Sequence, residues 1–371
     1  MPEPARLPYR RRPVWHWLIA SALALAVIGC VHTEPFTDAS GKPVAGSIAT
    51  MESILINGVD QQLWFRGSDV THPALILLHG GPGASESALF RHYDAALERH
   101  FLVVYWEQRG AGRSYHGDIA PQSMTIAQFE RDLDRVVDLV RQRFHKNQVV
   151  LLGHSWGAVL GTRYAAAHPD KVSAYVAVAP MVDKAPQDRL SWQFAVNEAS
   201  RRGDRSAIDK LRDNGPTPRT VDDELALGDL VERFGGTFYE NRLSTGKLIR
   251  AALGTDEASL IDLIKFGRGN RFSLESLWAE FSTVDLTGYR KFAMPVFFLL
   301  GRHDWHVPAV VSAQYFETIE APCKRLVWFE QSGHNPPFEE PARFISVMVD
   351  SVLPAVGEQG CSQAPGEKLE N

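Results

Sequence analysis

The chain is predicted to fold as a doubly wound, mostly parallel α/β sheet with an inserted helical cap. Three observations predict it. Short all-apolar runs alternate with stretches of helical spacing over residues 49–182 and again over 291–353, the pattern of βαβ units whose sheet is buried on both faces. The sequence GHSWG, Gly153–Gly157, falls between one such run and a helix-like run. Between residues 183 and 290 the alternation stops and apolar residues recur only at helical intervals. A chain of 371 residues is long enough to bury one large core with such an insertion.

Taken in order, residues 1–30 read as a targeting segment. Arg6, Arg10, Arg11 and Arg12 precede the apolar stretch Val14–Gly29, and Cys30 closes it. A charged start, a short apolar stretch and small residues before a cleavage point mark a secretory signal. The ending Val27–Cys30, VIGC, resembles the lipobox of bacterial lipoproteins, which implies lipidation at Cys30 and an exported, membrane-anchored protein facing the periplasm or cell exterior. The stretch is short for a full span but long enough to serve as an uncleaved anchor. Residues 31–48 carry Pro, Gly, Thr, Ser and Asp and read as a linker.

Folding is expected to begin near Ala49. Ile54–Ile56, then Asn57-Gly58, then Leu63–Phe65 have the form of a hairpin with a tight turn. Ala74–Leu78, Phe101–Trp106, Val149–Leu152, Val172–Val178, Val296–Leu300 and Leu326–Phe329 read as buried strands, and Ser87–His100, Ile126–Phe144 and Trp156–His168 as the helices between them. In the cap, Trp192, Phe194 and Val196, and later Phe272, Leu274, Leu277, Trp278 and Phe281, set the helical period. Acidic and basic residues nearly balance there. Residues 354–371 are polar, bear Gly and Pro, and read as a disordered tail. Cys323 and Cys361 would be free to pair in an oxidising compartment.

The chemistry is expected at the strand ends. Gly153 and Gly157 permit a tight turn that lifts the Ser155 hydroxyl above the sheet, with a helix N-terminus behind it to favour developing negative charge. A serine hydroxyl is a weak nucleophile until a base takes its proton, and the base needs an acid to hold its tautomer. On this kind of sheet the chain order is serine, acid, histidine. Asp304 follows the strand Val296–Leu300, and among the 13 histidines His334 is the one that follows the last strand, flanked by Ser332-Gly333 and Pro336-Pro337. Attack on a carbonyl creates an oxyanion that requires prepared donors. The N–H of Trp156 directly follows the nucleophile, and HGGPG, His79–Gly83, follows an early strand with Gly81 placed to supply the second donor.

Together HGGPG, WEQRGAGRS at Trp106–Ser114, GHSWG, GRHD at Gly301–Asp304 and SGH at Ser332–His334 resemble the α/β-hydrolase serine peptidases of the proline iminopeptidase type, a likeness that covers roughly residues 49–354. It implies an α/β-hydrolase fold, a helical canopy over the triad, and removal of an N-terminal residue, often proline, from small peptides. In that family cap carboxylates hold the substrate's free amine, and Glu198, Glu224 and Glu232 are the candidates here. Two departures stand out: Glu107 occupies the position where the family's usual motif has Asp, and His154 stands in the elbow where those peptidases commonly have Gly. A carboxylesterase or lipase-like hydrolase of small esters is the alternative, since fold and triad do not set the substrate, and a non-catalytic binding protein is the remote one.

No basic run interleaved with aromatics lies outside the N-terminus and the formal charge is −5, which argues against nucleic acid as a partner. HExxH and paired CxxC motifs are absent and His303 with His306 is too little for a metal site, so no metal or other cofactor is expected. Nothing in the sequence sets the oligomeric state.

Overall fold

The structure is a computed structural model and is described here for residues 31–356. The expected signal segment with Cys30, and Cys361 with most of the tail, lie outside the described residues. One sheet organises the chain, with strands β1 (Ile48–Ile56), β2 (Val59–Gly67), β3 (Ala74–Leu78), β4 (Leu102–Glu107), β5 (Val149–His154), β6 (Val172–Val178), β7 (Val296–Gly301) and β8 (Lys324–Phe329). Their spatial order is β1-β2-β4-β3-β5-β6-β7-β8. The β1–β2 and β2–β4 pairs are antiparallel, while every pair from β4–β3 to β7–β8 is parallel. Asn57 (φ 46°) and Gly58 (φ 84°) turn the hairpin, both in the left-handed region that a two-residue turn of this hand requires.

The central strands read as unbroken apolar runs because both faces of the sheet are covered. Ile76, Leu78, Val104, Trp106 and Leu151 enter one core, and their chain neighbours Leu75, Leu77, Val103, Tyr105, Val150 and Leu152 enter the other. The first core is closed by α2 (Ile126–Arg143), α3 (Trp156–Ala167) and α9 (Ala309–Glu317); the second by α1 (Ser87–Asp94), α10 (Pro336–Glu339) and α11 (Pro341–Val347). Thr125 starts α2 by accepting from the Gln128 N–H.

Between β6 and β7 lie α4 (Lys184–Arg202), α5 (Arg205–Asn214), α6 (Val221–Arg233), α7 (Thr245–Leu253) and α8 (Leu260–Phe281). Thr220 with Asp223, and Ser259 with Asp262, form capping boxes that open α6 and α8. Helices α4 to α6 share a small apolar core of their own, Ala195, Ala199, Leu211, Leu227 and Leu230 among its members, whereas α8 sends Leu274, Leu277 and Phe281 into the main one. The chain leaves and re-enters the sheet at one place: Lys184 N–H donates to the Val284 carbonyl at 2.9 Å and Leu286 N–H to that of Val182 at 2.7 Å.

Three expectations need correction. The linker is docked: Thr33 donates to Glu257 at 3.0 Å, and Arg66, which is buried, donates to Thr33 and, at 2.9 Å, to the Glu34 carbonyl. Both carboxylate oxygens of Glu98 already hold one nitrogen of Arg66, and the remaining guanidinium donors must find acceptors once buried. The helix after Ser87 ends at Asp94 and continues to Arg99 only as a 3-10 turn. At the other end helix persists through Ala355, which is buried, so the chain is still packed past Pro354. Cys323 is buried and disulfide-bonded, its partner lying outside the described residues. No helix among the described residues is long and apolar enough to cross a membrane.

Candidate active site

Ser155 sits between β5 and α3 with φ 53° and ψ −114°, a strained conformation for a residue with a side chain. The strain is held from both sides. A Cβ on Gly157 would lie 1.9 Å from the Leu78 carbonyl oxygen, so only glycine lets α3 approach β3 this closely. Ser155 N–H donates to the Val178 carbonyl at 2.9 Å, which ties the turn to β6. Its hydroxyl makes no hydrogen bond among the described residues and faces a cavity of about 430 Å3.

His334 and Asp304 arrive on the loops after β8 and β7. His334 Nδ1 donates to Asp304 Oδ2 at 2.8 Å, and the other oxygen of Asp304 accepts from the N–H groups of His306 (2.9 Å) and Val307 (2.8 Å). The proton is thereby fixed on Nδ1, which leaves Nε2 as the basic nitrogen. Burial pushes Asp304 up to about 7 against those hydrogen bonds. Burial also holds His334 well below the usual histidine range, helped by the charge of His154, so the resting imidazole is neutral. His306, whose ring lies 4.8 Å from that of His334, is pushed down to about 4, chiefly by burial.

The loop after β3 carries the candidate oxyanion donors. Gly80 N–H is already committed to Glu86 Oε2 at 2.9 Å, whereas Gly81 (φ 116°), joined to Pro82 by a cis peptide, lines the cavity beside Ser155. Trp156 opens α3 and its N–H belongs to that helix's free first turn. His79 braces the loop: its Nδ1 donates to the Gly80 carbonyl at 2.8 Å and its Nε2 accepts from Gln108 N–H at 3.1 Å, the pattern of a neutral ring. In the EQRG segment Gln108 and Arg109 prove to be scaffolding. Gln108 bridges the His79 carbonyl and the Trp156 indole N–H, while Arg109 forms a buried bidentate pair with Asp132 of α2.

The expected cap carboxylates separate. Glu224 and Glu232 line the cavity; Glu224 accepts from Lys184 Nζ at 2.8 Å, and Glu232 from the N–H and hydroxyl of Thr245 at 2.9 and 2.6 Å. Glu198 is not in the site. Its helix turns Ala195 and Ala199 inward, which leaves Glu198 on the outer face paired with Arg201 and Arg202. The cavity wall also holds Glu107, Asp229, Glu257 and Asp262, with Arg113 as its one Lys or Arg among the described residues, and Asp262 neutralises Arg113 through two bonds of 2.9 Å. Burial raises Glu107 to about 7 although Arg113 stands beside it.

Sequence reasoning missed Glu86. It lies 68 residues from His154, whose Nδ1 meets Glu86 Oε1 at 2.8 Å, and no local pattern announces such a pair.

A family described as the alpha/beta hydrolase fold matches residues 73–341. The chain is 34% identical to the "Probable aminopeptidase YbaC" of Bacillus subtilis (strain 168) across 82% of this chain and 97% of that one. It is 26% identical to the proline iminopeptidase of Heyndrickxia coagulans across 74% and 89%. Among solved structures, the proline iminopeptidase of Mycobacterium smegmatis superposes with a TM-score of 0.61 over 83% of this chain and 98% of that one, at 15% identity, a likeness of fold.

Proposed function

The chain belongs to the α/β-hydrolase family, and from that premise we propose that it is a serine aminopeptidase of the proline iminopeptidase kind, releasing N-terminal residues from small peptides. The observation that carries this reading is the strained Ser155 sharing one cavity with His334, whose other nitrogen is fixed by Asp304. Ser155 Oγ attacks the scissile carbonyl carbon while His334 Nε2 takes its proton, and Gly81 and Trp156 N–H receive the oxyanion. His334 then protonates the leaving amine, which departs and leaves an ester on Ser155. Water, deprotonated by the same nitrogen, hydrolyses that ester and frees the amino acid. The substrate's ammonium group is met by the acidic wall, with Glu232 and Glu224 as its partners; an excess of carboxylates over cations there favours an amine over a neutral ester.

A fluorophosphonate probe should label the wild type and not Ser155→Ala, and prolyl-arylamide should be cleaved faster than short p-nitrophenyl esters. Turnover of esters with no arylamide cleavage replaces this reading with a carboxylesterase or lipase-like one. We infer further, from residues 1–30, that the enzyme is exported and anchored through a lipid on Cys30. Palmitate labelling that persists in Cys30→Ala overturns that inference.

A further inference from the structure

His154 occupies the residue position before Ser155 and lines the same cavity, its buried ring lying between two loops. Its Nδ1 faces Glu86 Oε1 at 2.8 Å and its Nε2 faces the His334 carbonyl oxygen at 3.0 Å. Both partners are acceptors. A neutral imidazole has one N–H and would set a lone pair against one of them, so with Glu86 ionised only the doubly protonated ring satisfies both. Glu86 supplies the matching charge, and its second oxygen accepts from Gly80 N–H at 2.9 Å. An unbroken chain therefore runs from the oxyanion loop through Glu86 and His154 to the main chain of His334.

We propose that His154 and Glu86 are positioning residues: as an ion pair they fasten the oxyanion loop to the loop that bears the base, and they place a permanent positive charge beside the His334 ring. The inference rests on the roles given above to Ser155 and His334.

The ring centres of His154 and His334 are 5.1 Å apart, and both residues are buried, so the charge is poorly screened. It opposes a second proton on His334 and keeps that base ready at lower pH. The ionised state of the pair is consistent with its surroundings. Burial works against a charged His154, but the charge and hydrogen bond of Glu86 outweigh it and raise the ring above the ordinary histidine range; Glu86 in turn is held below the ordinary carboxylate range, the pull of His154 and the Gly80 N–H overcoming burial. The other titratable neighbours are His79 on the loop after β3 and Asp304 on the loop after β7, with His334 itself; His79 is neutral by its hydrogen bonds. The Phe338 ring stands nearly perpendicular to the His154 ring, their centres 6.3 Å apart.

The test measures kcat/KM against pH for the full chain and for His154→Gln, Glu86→Gln and the double variant, using prolyl-arylamide. Removing the charge should move the acid limb upward by on the order of one pH unit. Each single variant then loses rate at an acid pH where the wild type still works and recovers as the pH rises, and the double variant shifts no further than either single. In 15N-histidine spectra one ring, identified by its loss in His154→Gln, should show both nitrogens protonated at neutral pH. A folded His154→Gln with an unmoved acid limb, or a neutral His154 ring at pH 7, overturns the proposal; if His154→Gln does not fold, the Glu86→Gln profile and the wild-type spectrum decide it. Failure of the underlying roles looks different, since Ser155→Ala would then keep its turnover.

Discussion

The main-chain N–H of His334 donates to the carbonyl of Thr237 at 2.8 Å, so the candidate base is fastened to the cap segment as well as to its own strand. Glu339 completes the fastening. Its carboxylate accepts from the N–H groups of Gly333 (2.9 Å), Asn335 (3.1 Å) and Tyr239 (2.7 Å). Glu339→Ala strands three main-chain donors and should cost about 3 kcal/mol in urea unfolding, given about 1–3 kcal/mol for each unsatisfied buried group and incomplete additivity. Turnover should fall more than KM rises. An unchanged kcat would mean that the base loop holds its shape without this residue.

Asp132 is the hub of the EQRG scaffold. It accepts from Arg109, Asn57, Gln61 and Gln128, and both it and Arg109 are buried. Removing one member of a buried ion pair leaves a charge without compensation, at about 3–5 kcal/mol. Asp132→Ala should lose that much by denaturant titration. At temperatures where it remains folded, kcat/KM should stay within about twofold of the wild type, because Asp132 lies outside the cavity lining.

Glu107 carries a pH signature. Its carboxyl is raised in the folded state to about 7, first by burial, so the folded chain holds a proton that the unfolded chain has lost. The stability gained from it is fully present below about pH 4.5 and disappears as pH rises through 7. Glu107→Gln removes the titration. The variant should gain on the wild type between pH 5 and pH 8 by up to about 3 kcal/mol, read as the change in the difference of their unfolding free energies. A difference that stays constant with pH would place the raised carboxyl elsewhere.

The acidic wall makes a split prediction about substrate. Glu232→Gln should reduce kcat/KM for prolyl-arylamide by about 10–100-fold, the worth of a charge-assisted hydrogen bond, and leave short-ester turnover unchanged. Glu198→Gln should change neither, since Glu198 faces outward. Equal losses on both substrates for Glu232→Gln would show a structural role through Thr245 instead of an amine partner.

Much of the scaffold was legible because it obeys local rules. Strands buried on both faces show as unbroken apolar runs, and the turn at Asn57-Gly58 has its own chemistry. Ser155, Asp304 and His334 could be picked out because each follows a strand, and strand ends are visible in one dimension. Glu198 could not be told from Glu232 in the same way. Which face of a cap helix points inward depends on packing against other cap helices, and the cap has its own core for this purpose. Glu86 and the docked segment at Thr33–Glu34 were hidden for a different reason: each answers the unmet hydrogen-bonding demand of a buried group far away in sequence, His154 in one case and Arg66 in the other.

The crossing of the chain at Val182–Lys184 and Val284–Leu286 has an evolutionary meaning. With entry and exit side by side, everything between them is, topologically, one long surface loop, and lengthening a loop costs little closure entropy. A graft that swapped residues 185–283 for another helical module would leave the strands that lead to Ser155 and Asp304 uninterrupted, but the newcomer would have to supply a carbonyl where Thr237 now meets His334, a donor where Tyr239 meets Glu339, and apolar side chains where α8 enters the main core. Reaction and selectivity are thus heritable as separate pieces of chain, joined through that short set of contacts.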